Sequence, residues 1–356
     1  MKKGVLILLL LQSFLISCND STGVSEELDI IMPTYLMNSE VIVDGLLGVS
    51  DICISDTLIV ISLRNSHNMI QVLNESGDLL GEGLKFGRGP GETTNILEIS
   101  NISNGRVCAT VADEKVYIYN ISSLISGSIL PESIIELQEE NYAFSSIAVC
   151  DSSLFYVGKD VTKYDENNTI YCIYNFSKDV NSYFGNTFKE DKQSRQYPVN
   201  DFTIQTVYQG EPLCRPDMKK VVIPFFYALA FDIVNLEEGN YDIECRKVFT
   251  TPGVKIEPIP SLGINTVKRD VTSYVGFLDV SCTQQYIYLL YSEKKFSNNR
   301  YNQGRYILKY DWSGNLITKY ALDKEVSDFC VDSDNEYILC ISNNNEGASL
   351  LRYNIN

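Results

Sequence analysis

The sequence predicts an all-β fold, a six-bladed β-propeller built from four-stranded antiparallel blades. One unit, a strand that runs into Asn or Asp and then a polar turn, recurs six times at intervals of 43 to 76 residues, as expected for radially repeated sheets. The chain contains 23 Tyr and 15 Phe beside many Ile and Val, a composition that favours strands. The last unit lacks its outer strand, and an unassigned strand pattern precedes the first.

The recurring turn has the chemistry of a β-hairpin turn. Asn or Asp starts such a turn because its side chain accepts hydrogen bonds from the backbone, and a following Gly takes the positive φ. The turns contain Asn74, Asn120, Asn175, Asn235, Asp311 and Asn354. Their uneven spacing suits four-stranded blades whose loops differ in length.

Each unit also contains a second strand of apolar and aromatic residues. In residues 286–291, Tyr alternates with Ile and Leu, as is typical of strands in sheets that are stacked face to face. The equivalent segments are residues 58–63, 107–111, 154–158, 221–226, 286–291 and 337–342. Six such sheets in a ring leave only short edges unpaired.

The two ends of the chain are predicted to close the ring. The sixth turn, at Tyr353-Asn354, lies at the C-terminus, so the last blade is one strand short. Residues 39–44 have a strand pattern and precede the first blade. Because an unpaired sheet edge is a liability, we expect this N-terminal strand to complete the last blade.

The first residues have the features of an export signal. Lys2 and Lys3 precede a short apolar core at residues 5–11, and residues 15–18, Leu-Ile-Ser-Cys, resemble a bacterial lipobox. The apolar run is shorter than the roughly 20 residues of a membrane span. The predicted organisation is a lipoprotein signal peptide over residues 1–17, a tether over 18–36 that begins at lipidated Cys18, and one propeller domain over 37–356.

The lipobox implies a location and a partner. Cleavage before Cys18 and acylation of this residue would anchor the protein in a lipid bilayer. We therefore expect a cell-envelope protein, lipid-anchored to the outer membrane on its periplasmic or its outer side. A signal peptide with an incidental cysteine is the alternative. The formal net charge of −17 argues against nucleic acid as a partner, and a monomer is expected.

Nine of the ten cysteines remain after Cys18 is set aside. Cys53, Cys150, Cys282 and Cys330 each end a short apolar strand before a polar turn. Cysteines at matching places in successive repeats are expected to be small buried apolar residues. We therefore predict free core thiols. One bridge, between Cys214 and Cys245, is left open.

Residues 86–92, Phe-Gly-Arg-Gly-Pro-Gly-Glu, form the most distinctive stretch of the chain. No helix or central strand tolerates this density of Gly and Pro, so the stretch, called the GRGPGE loop below, is a sharply shaped connection. One interpretation is a structural turn in which Arg88 and Glu92 contact neighbouring groups. The other is a ligand-facing loop that binds an anion through backbone N–H groups and Arg88.

These residues resemble a known family. The lipobox, the GRGPGE loop and the β repeats together resemble the TolB-like six-bladed β-propeller lipoproteins of Bacteroidetes. Residues 215–220, Arg-Pro-Asp-Met-Lys-Lys, look like a TolB-type turn in which Met218 replaces the usual Gly, and residues 183–186 look like a degenerate copy of the Phe-Gly ending. The resemblance implies the fold and an envelope location, and it implies no catalytic residues.

Signals for catalysis are weak. His67 is the only histidine, so sites that need several histidines are excluded, and no nucleophile motif such as GxSxG is present. Residues 332–336 carry acids at i and i+2, as calcium loops do, but lack the Gly and distal Glu of an EF-hand, which favours a plain hairpin turn. We predict no catalytic residue, no metal site and no cofactor.

The candidate binding residues lie on one predicted face. In a propeller, the loops between the second and third strands share a face with the connections between blades. Two long insertions on this face, residues 251–270 and 294–304, supply aromatic and amide groups that suit a sugar or a peptide. The candidates are Arg64, His67, Arg88, Glu92, Arg269, Arg300 and Tyr301.

Two functions follow from this sequence. The preferred one is a non-enzymatic binding or interaction propeller, with a glycan, a peptide or a partner protein bound on the face of the GRGPGE loop. The alternative is a propeller hydrolase or lyase that acts on a glycan or a lactone, with or without a metal in the central channel. A cation site of three or more Asp, Glu or Asn ligands would favour the enzyme, and a narrow apolar channel would favour the binding protein.

Overall fold

A computed structural model describes most of the chain. The described residues are 28, 31–89, 91–102, 105–111, 115–136, 142–150, 153–160, 169–186, 209–250, 253–259, 261, 264–344 and 347–355. Two compact units are distinguished, residues 1–32 and 33–356. The predicted signal peptide and Cys18 lie outside the described residues, and within these no helix has the length and apolar character of a membrane span.

The strands of the second unit begin with β1 (Thr34–Leu36) and β2 (Glu40–Leu46). Blade one contains β3 (Val49–Ser55), β4 (Leu58–Leu63), β5 (Asn68–Leu73) and β6 (Leu79–Phe86), followed by the short β7 (Glu92–Thr93). Blade two contains β8 (Ile96–Ile102), β9 (Arg106–Val111), β10 (Lys115–Asn120), helix α1 (Ile121–Ile125) and β11 (Ser133–Glu136). Blade three contains β12 (Tyr142–Cys150), β13 (Ser153–Asp160), β14 (Thr169–Asn175) and β15 (Val180–Asn186).

Blade four contains β16 (Leu213–Cys214), β17 (Lys220–Pro224), β18 (Ala230–Asn235) and β19 (Asp242–Val248). A separate hairpin follows, β20 (Val254–Ile259) and β21 (Ile264–Arg269). Blade five contains β22 (Phe277–Cys282), β23 (Tyr286–Tyr291), β24 (Gly304–Asp311) and β25 (Leu316–Val326). Blade six contains β26 (Asp328–Val331), β27 (Tyr337–Asn343) and β28 (Ala348–Asn354). Successive strands within each blade pair antiparallel, so the predicted all-β six-bladed propeller is confirmed.

The N-terminal strand closes the ring as predicted. Strand β2 pairs antiparallel with β28, with Glu40 opposite Arg352 and Val41 opposite Leu351. The predicted strand covered residues 39–44, and the observed one continues to Leu46. Blade six therefore takes its fourth strand from the other end of the chain.

Two blades have their outer edges covered. Strand β1, which falls within the predicted tether, pairs in parallel with β25 of blade five and buries Leu36. Helix α1 lies across β6 of blade one, where a Cβ at Gly81 would stand 2.6 Å from the carbonyl oxygen of Leu124. Only glycine permits this close approach. Both contacts protect sheet edges that would otherwise pair with other chains.

The predicted Asx turns are confirmed in four of the six places, at Asn74, Asn175, Asn235 and Asp311. Asn354 is the last residue of β28, and its side chain makes no hydrogen bond with a described residue. Asn74 Oδ1 accepts the backbone N–H groups of Ser76 and Asp78, and Asp311 makes the same bonds in blade five. Asn120 differs, because its side chain accepts the N–H of Ser123 as the N-cap of α1. The hairpin turn predicted there is wrong, since the same Asx side-chain chemistry also starts helices.

The core lies between blades rather than within them. Each buried apolar cluster combines residues of two neighbouring sheets. The cluster of blades three and four, for example, joins Phe155 and Tyr171 to Ile223 and Phe225, all fully buried or nearly so. The stability of the ring therefore depends on its seams, a term used below for the contact between two adjacent blades.

Candidate functional site

The innermost strands of the blades surround a central channel. A cavity of about 270 Å³ lies between β3, β8, β16, β22 and β26. Its wall combines apolar residues such as Ile52 and Phe329 with thiol and hydroxyl groups such as Cys53 and Ser281. The channel is therefore lined by apolar and polar side chains together.

Five of the six blades carry an acidic residue at the same position, either on the innermost strand or just before it. On β3, β8, β22 and β26 the acid stands opposite the fifth residue of the next strand, and Glu211 precedes β16 by two residues. A break in register directly precedes the acid in blades one, two and five. These five residues, called the acid ring below, are Asp51, Glu98, Glu211, Asp279 and Asp328.

The acid of blade one ties its strand to the next blade. Oδ1 of Asp51 accepts the N–H of Ile52 at 2.7 Å, and Oδ2 accepts the N–H of Ile99, in β8 of blade two, at 2.5 Å. The register break frees these N–H groups from the ladder within the sheet. We call this bond between a carboxylate of one blade and an amide of the next a clasp.

The clasp recurs at the seam of blades five and six. Oδ2 of Asp279 in blade five accepts the N–H of Phe329 in blade six at 2.8 Å. Asp328 of blade six lies beside the backbone of Ile52 in blade one, whose N–H donates to Asp51.

The acid ring has few partners beyond these amides. Oδ1 of Asp328 is buried without a hydrogen-bond partner among the described residues. None of the ion pairs between described residues involves a member of the ring. The described part of the chain also contains no group of three His, Cys, Asp or Glu side chains arranged to hold a metal ion.

Burial and mutual repulsion change the acidity of the ring. Burial, and then the charges of neighbouring ring carboxylates, raise the pKa values of Asp51, Glu98, Asp279 and Asp328 well above their ordinary range. Burial raises the pKa of Glu211 to about 7. Near neutral pH the ring can therefore both donate and accept hydrogen bonds.

A second cavity opens at the mouth of the channel. It has a volume of about 360 Å³ and combines the carboxyl groups of Glu98, Glu211 and Asp279 with Phe226 and Phe277. Phe226 belongs to the loop between the second and third strands of blade four, and the connection before β16 supplies Gln209 and Gly210. Loops of these two kinds share the propeller face that also carries the GRGPGE loop, so this is the face predicted to bind a ligand.

An arginine within an aromatic cluster borders this mouth. The guanidinium of Arg269 lies 5.0 Å from the ring centroid of Phe296, 5.1 Å from that of Tyr301 and 5.8 Å from that of Tyr227. Its Nη1 donates to the hydroxyl of Tyr301 at 3.1 Å. Phe226 of the mouth cavity packs on Phe296 at 5.7 Å. The structure thus brings together Arg269 and Tyr301, two of the predicted binding residues.

The conformation of the GRGPGE loop is held by one of its own residues, Glu92. Oε2 of Glu92 accepts the N–H of Gly89 at 2.7 Å, and a Cβ at Gly87 would stand 1.9 Å from the same oxygen. Glu92 therefore orders the loop. Arg88 is exposed, and its guanidinium makes no hydrogen bond or ion pair with a described residue.

The remaining predicted residues lie on the same face without meeting. Arg64 and His67 are exposed in the loop between β4 and β5, where the backbone N–H of Arg64 donates to Gly48 and the carbonyl of His67 accepts from Phe86. Arg300 pairs with Glu325 at 3.7 Å.

The cysteine predictions need a correction. Cys150 and Cys214 form a disulfide between the innermost strands of blades three and four, with Cα atoms 6.4 Å apart. The bridge considered from the sequence, Cys214 to Cys245, is wrong because Cys245 lies on β19, the outermost strand of blade four, with β17 and β18 between it and β16. The other described cysteines form no disulfide with a described residue: Cys53, Cys108, Cys172, Cys245, Cys282, Cys330 and Cys340.

Sequence reasoning missed the acid ring. The repeats are recognised in the sequence by their turns, whereas the acid ring lies on the innermost strands. A signal was present, because an acid followed by a large apolar residue and then Cys or Ser occurs as Asp51-Ile52-Cys53, Glu98-Ile99-Ser100, Asp279-Val280-Ser281 and Asp328-Phe329-Cys330.

Comparison with known proteins supports this architecture. Residues 214–334 match the family model described as TolB-like 6-blade propeller-like. The match covers blades four and five and the first strand of blade six, and over this stretch the six-bladed propeller is similar to the TolB-like family. No curated protein matches the sequence.

The propeller is also similar to solved structures. One is a Bacteroides fragilis protein thought to be exported, with a TM-score of 0.54 and 15% identity over 93% of this chain and 96% of that one. The β-propeller domain of Myceliophteria thermophila Cps50 (Swd1) has a TM-score of 0.47 and 6% identity, covering 90% and 99% of the two chains. The first similarity supports the fold alone, and the second is too weak to add to it.

Proposed function

We propose that this TolB-like propeller is the non-enzymatic binding domain of a cell-envelope lipoprotein, and that it takes its ligand at the channel mouth. The observation that carries the proposal is the cavity of about 360 Å³ that is lined by the acids Glu98, Glu211 and Asp279 together with Phe226 and Phe277. Concave sites that combine apolar walls with a few polar groups are typical of ligand pockets. The arginine and aromatic cluster around Arg269 borders this cavity and would extend the surface available to a ligand.

The chemistry of the mouth favours a ligand that has both hydrogen-bond donors and acceptors. Carboxyl groups with raised pKa values accept from hydroxyl, amide and ammonium groups and also donate when protonated, and the described residues offer the acid ring no cationic side chain as a partner. Aromatic rings such as Tyr301 stack on sugars and on peptide side chains. A glycan or a peptide segment brought by a partner protein meets both requirements.

The anchor is a separate part of the proposal. Acylation of Cys18 would hold the propeller at the outer membrane, and the support for it is the lipobox at residues 15–18. The similarity to a protein thought to be exported is consistent with this location. Labelling of the protein by a radioactive fatty acid, lost in a Cys18→Ala variant, tests the anchor independently of any ligand.

A hydrolase acting on a glycan or a lactone is the second candidate. The observation that favours it is the group of carboxyls with raised pKa values, since strongly perturbed acids in a cavity occur at catalytic centres. Glycoside hydrolysis uses one carboxyl as an acid and another as a nucleophile or base. Release of product from glycan or lactone substrates, abolished in Glu98→Gln and Glu211→Gln, would favour this candidate.

Binding to glycan and peptide arrays tests the preferred function. The wild-type propeller is compared with Glu211→Gln, which keeps the shape of the side chain, and with Asp334→Asn, an exposed position of a turn on the opposite face. We expect a ligand whose binding weakens at least tenfold in Glu211→Gln and is unchanged in Asp334→Asn. Equal binding by all three proteins would contradict a site at the mouth.

A further inference from the structure

The seams of the ring are not all built alike. Clasps between a ring carboxylate and an amide of the next innermost strand join blades one and two, and blades five and six. Each clasp needs an acid on one strand and a free N–H on the residue that follows the acid position of the next strand.

The seam between blades three and four has neither the acid nor the backbone N–H that a clasp needs. The acid position of blade three is occupied by Ser146, which stands opposite Val157, the fifth residue of β13. The receiving position of blade four is Pro212, which has no backbone N–H to donate. Strand β16 that follows is only two residues long, so few ladder hydrogen bonds hold it in place.

The disulfide between Cys150 and Cys214 lies at this seam. We propose that it replaces the missing clasp, and that it makes the seam of blades three and four the part of the ring that opens when the bond is reduced. The clasped seams depend on a carboxylate and an amide, which thiol reagents do not affect. The device is thus a redox-sensitive joint at one defined place, and it is independent of the proposed ligand.

Cavities on both sides give a reductant access to the bond. Cys214 lines the channel cavity, and Cys150 lines a further cavity of about 250 Å³ together with Asp217 and Tyr241. A small dithiol would attack one sulfur, break the S–S bond, and leave as a cyclic disulfide, so that two electrons and two protons pass to Cys150 and Cys214.

An internal thiol does not compete for the bond. Cys282 in blade five donates its S–H to the carbonyl oxygen of Cys214 at 3.3 Å. Burial raises the pKa of Cys282 to about 12, so near neutral pH it is a thiol and a poor nucleophile. Opening of the seam therefore requires an external reductant.

Hydrogen exchange on the full chain tests the joint. Protein purified without reductant is compared before and after treatment with dithiothreitol, with the new thiols blocked by alkylation. We expect amide exchange in β12 and β16 to rise on the order of tenfold or more, while β3, β8 and β26 stay as they were. A folded variant with Cys150→Ala and Cys214→Ala should show the same local rise without any reductant.

Asp279→Asn is the matched control at a clasped seam. It should speed exchange in β22 and β26 to the same extent with and without dithiothreitol. The proposal is overturned if Cys150 and Cys214 react as free thiols in the untreated protein. It is equally overturned if reduction leaves exchange in β12 and β16 unchanged, or if it loosens all the seams alike.

Discussion

Oδ2 of Asp51 in blade one accepts the backbone N–H of Ile99 in blade two at a distance of 2.5 Å. The other oxygen of the same carboxylate accepts the N–H of Ile52. One side chain thus satisfies two amides that the register break leaves without a partner in the sheet. A seam of the propeller and a wall of its channel are therefore made by the same residue.

Replacing this carboxylate should destabilise the ring. Asp51→Ala leaves two buried N–H groups without acceptors, and each unsatisfied group costs about 1–3 kcal/mol. We expect the free energy of unfolding, measured by urea denaturation, to fall by about 2–5 kcal/mol. Asp334→Ala, at an exposed turn position, is the control and should change it by less than about 0.5 kcal/mol. Equal stability of the two variants would show that the clasp contributes nothing.

The acid ring predicts how stability depends on pH. Glu211 has a pKa of about 7 in the folded protein against an ordinary value of 4.5, so the folded state binds this proton more tightly than the unfolded state. The resulting stabilisation is complete below pH 4.5 and is lost as the pH rises through 7. Thermal unfolding between pH 4.5 and 8 should show this loss, superimposed on the contributions of other groups.

Glu211→Gln isolates the contribution of this residue. The variant removes the titrating group, and it also removes a charge that raises the pKa values of Asp51, Glu98 and Asp279. We expect the melting temperature of the variant to depend less on pH than that of the wild type. A steeper dependence in Glu211→Gln would contradict the assignment.

Ring closure by β2 can be tested by deletion. Removal of residues 37–46 exposes the edge of β28, which then lacks the partner seen at Glu40 and Val41. We expect unfolding or oligomers, measured by light scattering after size-exclusion chromatography. Removal of residues 19–26, which precede β1 and leave the buried Leu28 in place, is the control and should leave a monomer. A stable monomer without residues 37–46 would rule out closure by this strand.

The two charged residues of the GRGPGE loop should behave differently. Glu92→Ala removes the acceptor of the Gly89 N–H and should speed proteolysis and hydrogen exchange of the loop. Arg88→Ala should leave both unchanged, because this side chain is exposed and makes no ion pair with a described residue. Equal loosening by the two substitutions would show that Glu92 does not order the loop.

The cluster around Arg269 is expected to stabilise the base of the hairpin formed by β20 and β21. Cation–π contacts contribute about 0.5–2 kcal/mol each, depending on burial. Arg269→Ala should therefore lower the free energy of unfolding by about 1–3 kcal/mol, and Tyr301→Phe, which loses only one hydrogen bond, by about 1 kcal/mol or less. A larger loss in Tyr301→Phe would mean that the hydroxyl, rather than the ring, holds the arginine.

The sequence predicted the ring and its closure because these depend on local chemistry. Asx residues such as Asn74 start turns through their own side chains, and the unpaired strand at residues 39–44 had one evident partner. The turn at Asn120 was misassigned because an Asx side chain satisfies a helix N-terminus as readily as a hairpin.

The channel depends on contacts that no local pattern specifies. Asp51 accepts the N–H of Ile99 only because blades one and two are adjacent in the ring. The sequence around Asp51 gives no indication of this hydrogen bond. Cys150 pairs with Cys214 because both lie on the innermost strands of adjacent blades, whereas Cys245 lies on an outermost strand. The contacts of Arg269, at the end of β21, with Tyr301 and Tyr227 join three segments that are far apart in the sequence, and only the tertiary structure brings them together.

Hydrogen exchange in the presence of a ligand identified on the arrays tests the location of binding most directly. The ligand should protect the amides beside Glu98, Glu211 and Asp279 at the channel mouth, together with those of the loop that carries Phe226. Protection confined to the opposite face, around the turn at residues 332–336, would contradict a binding site at the mouth.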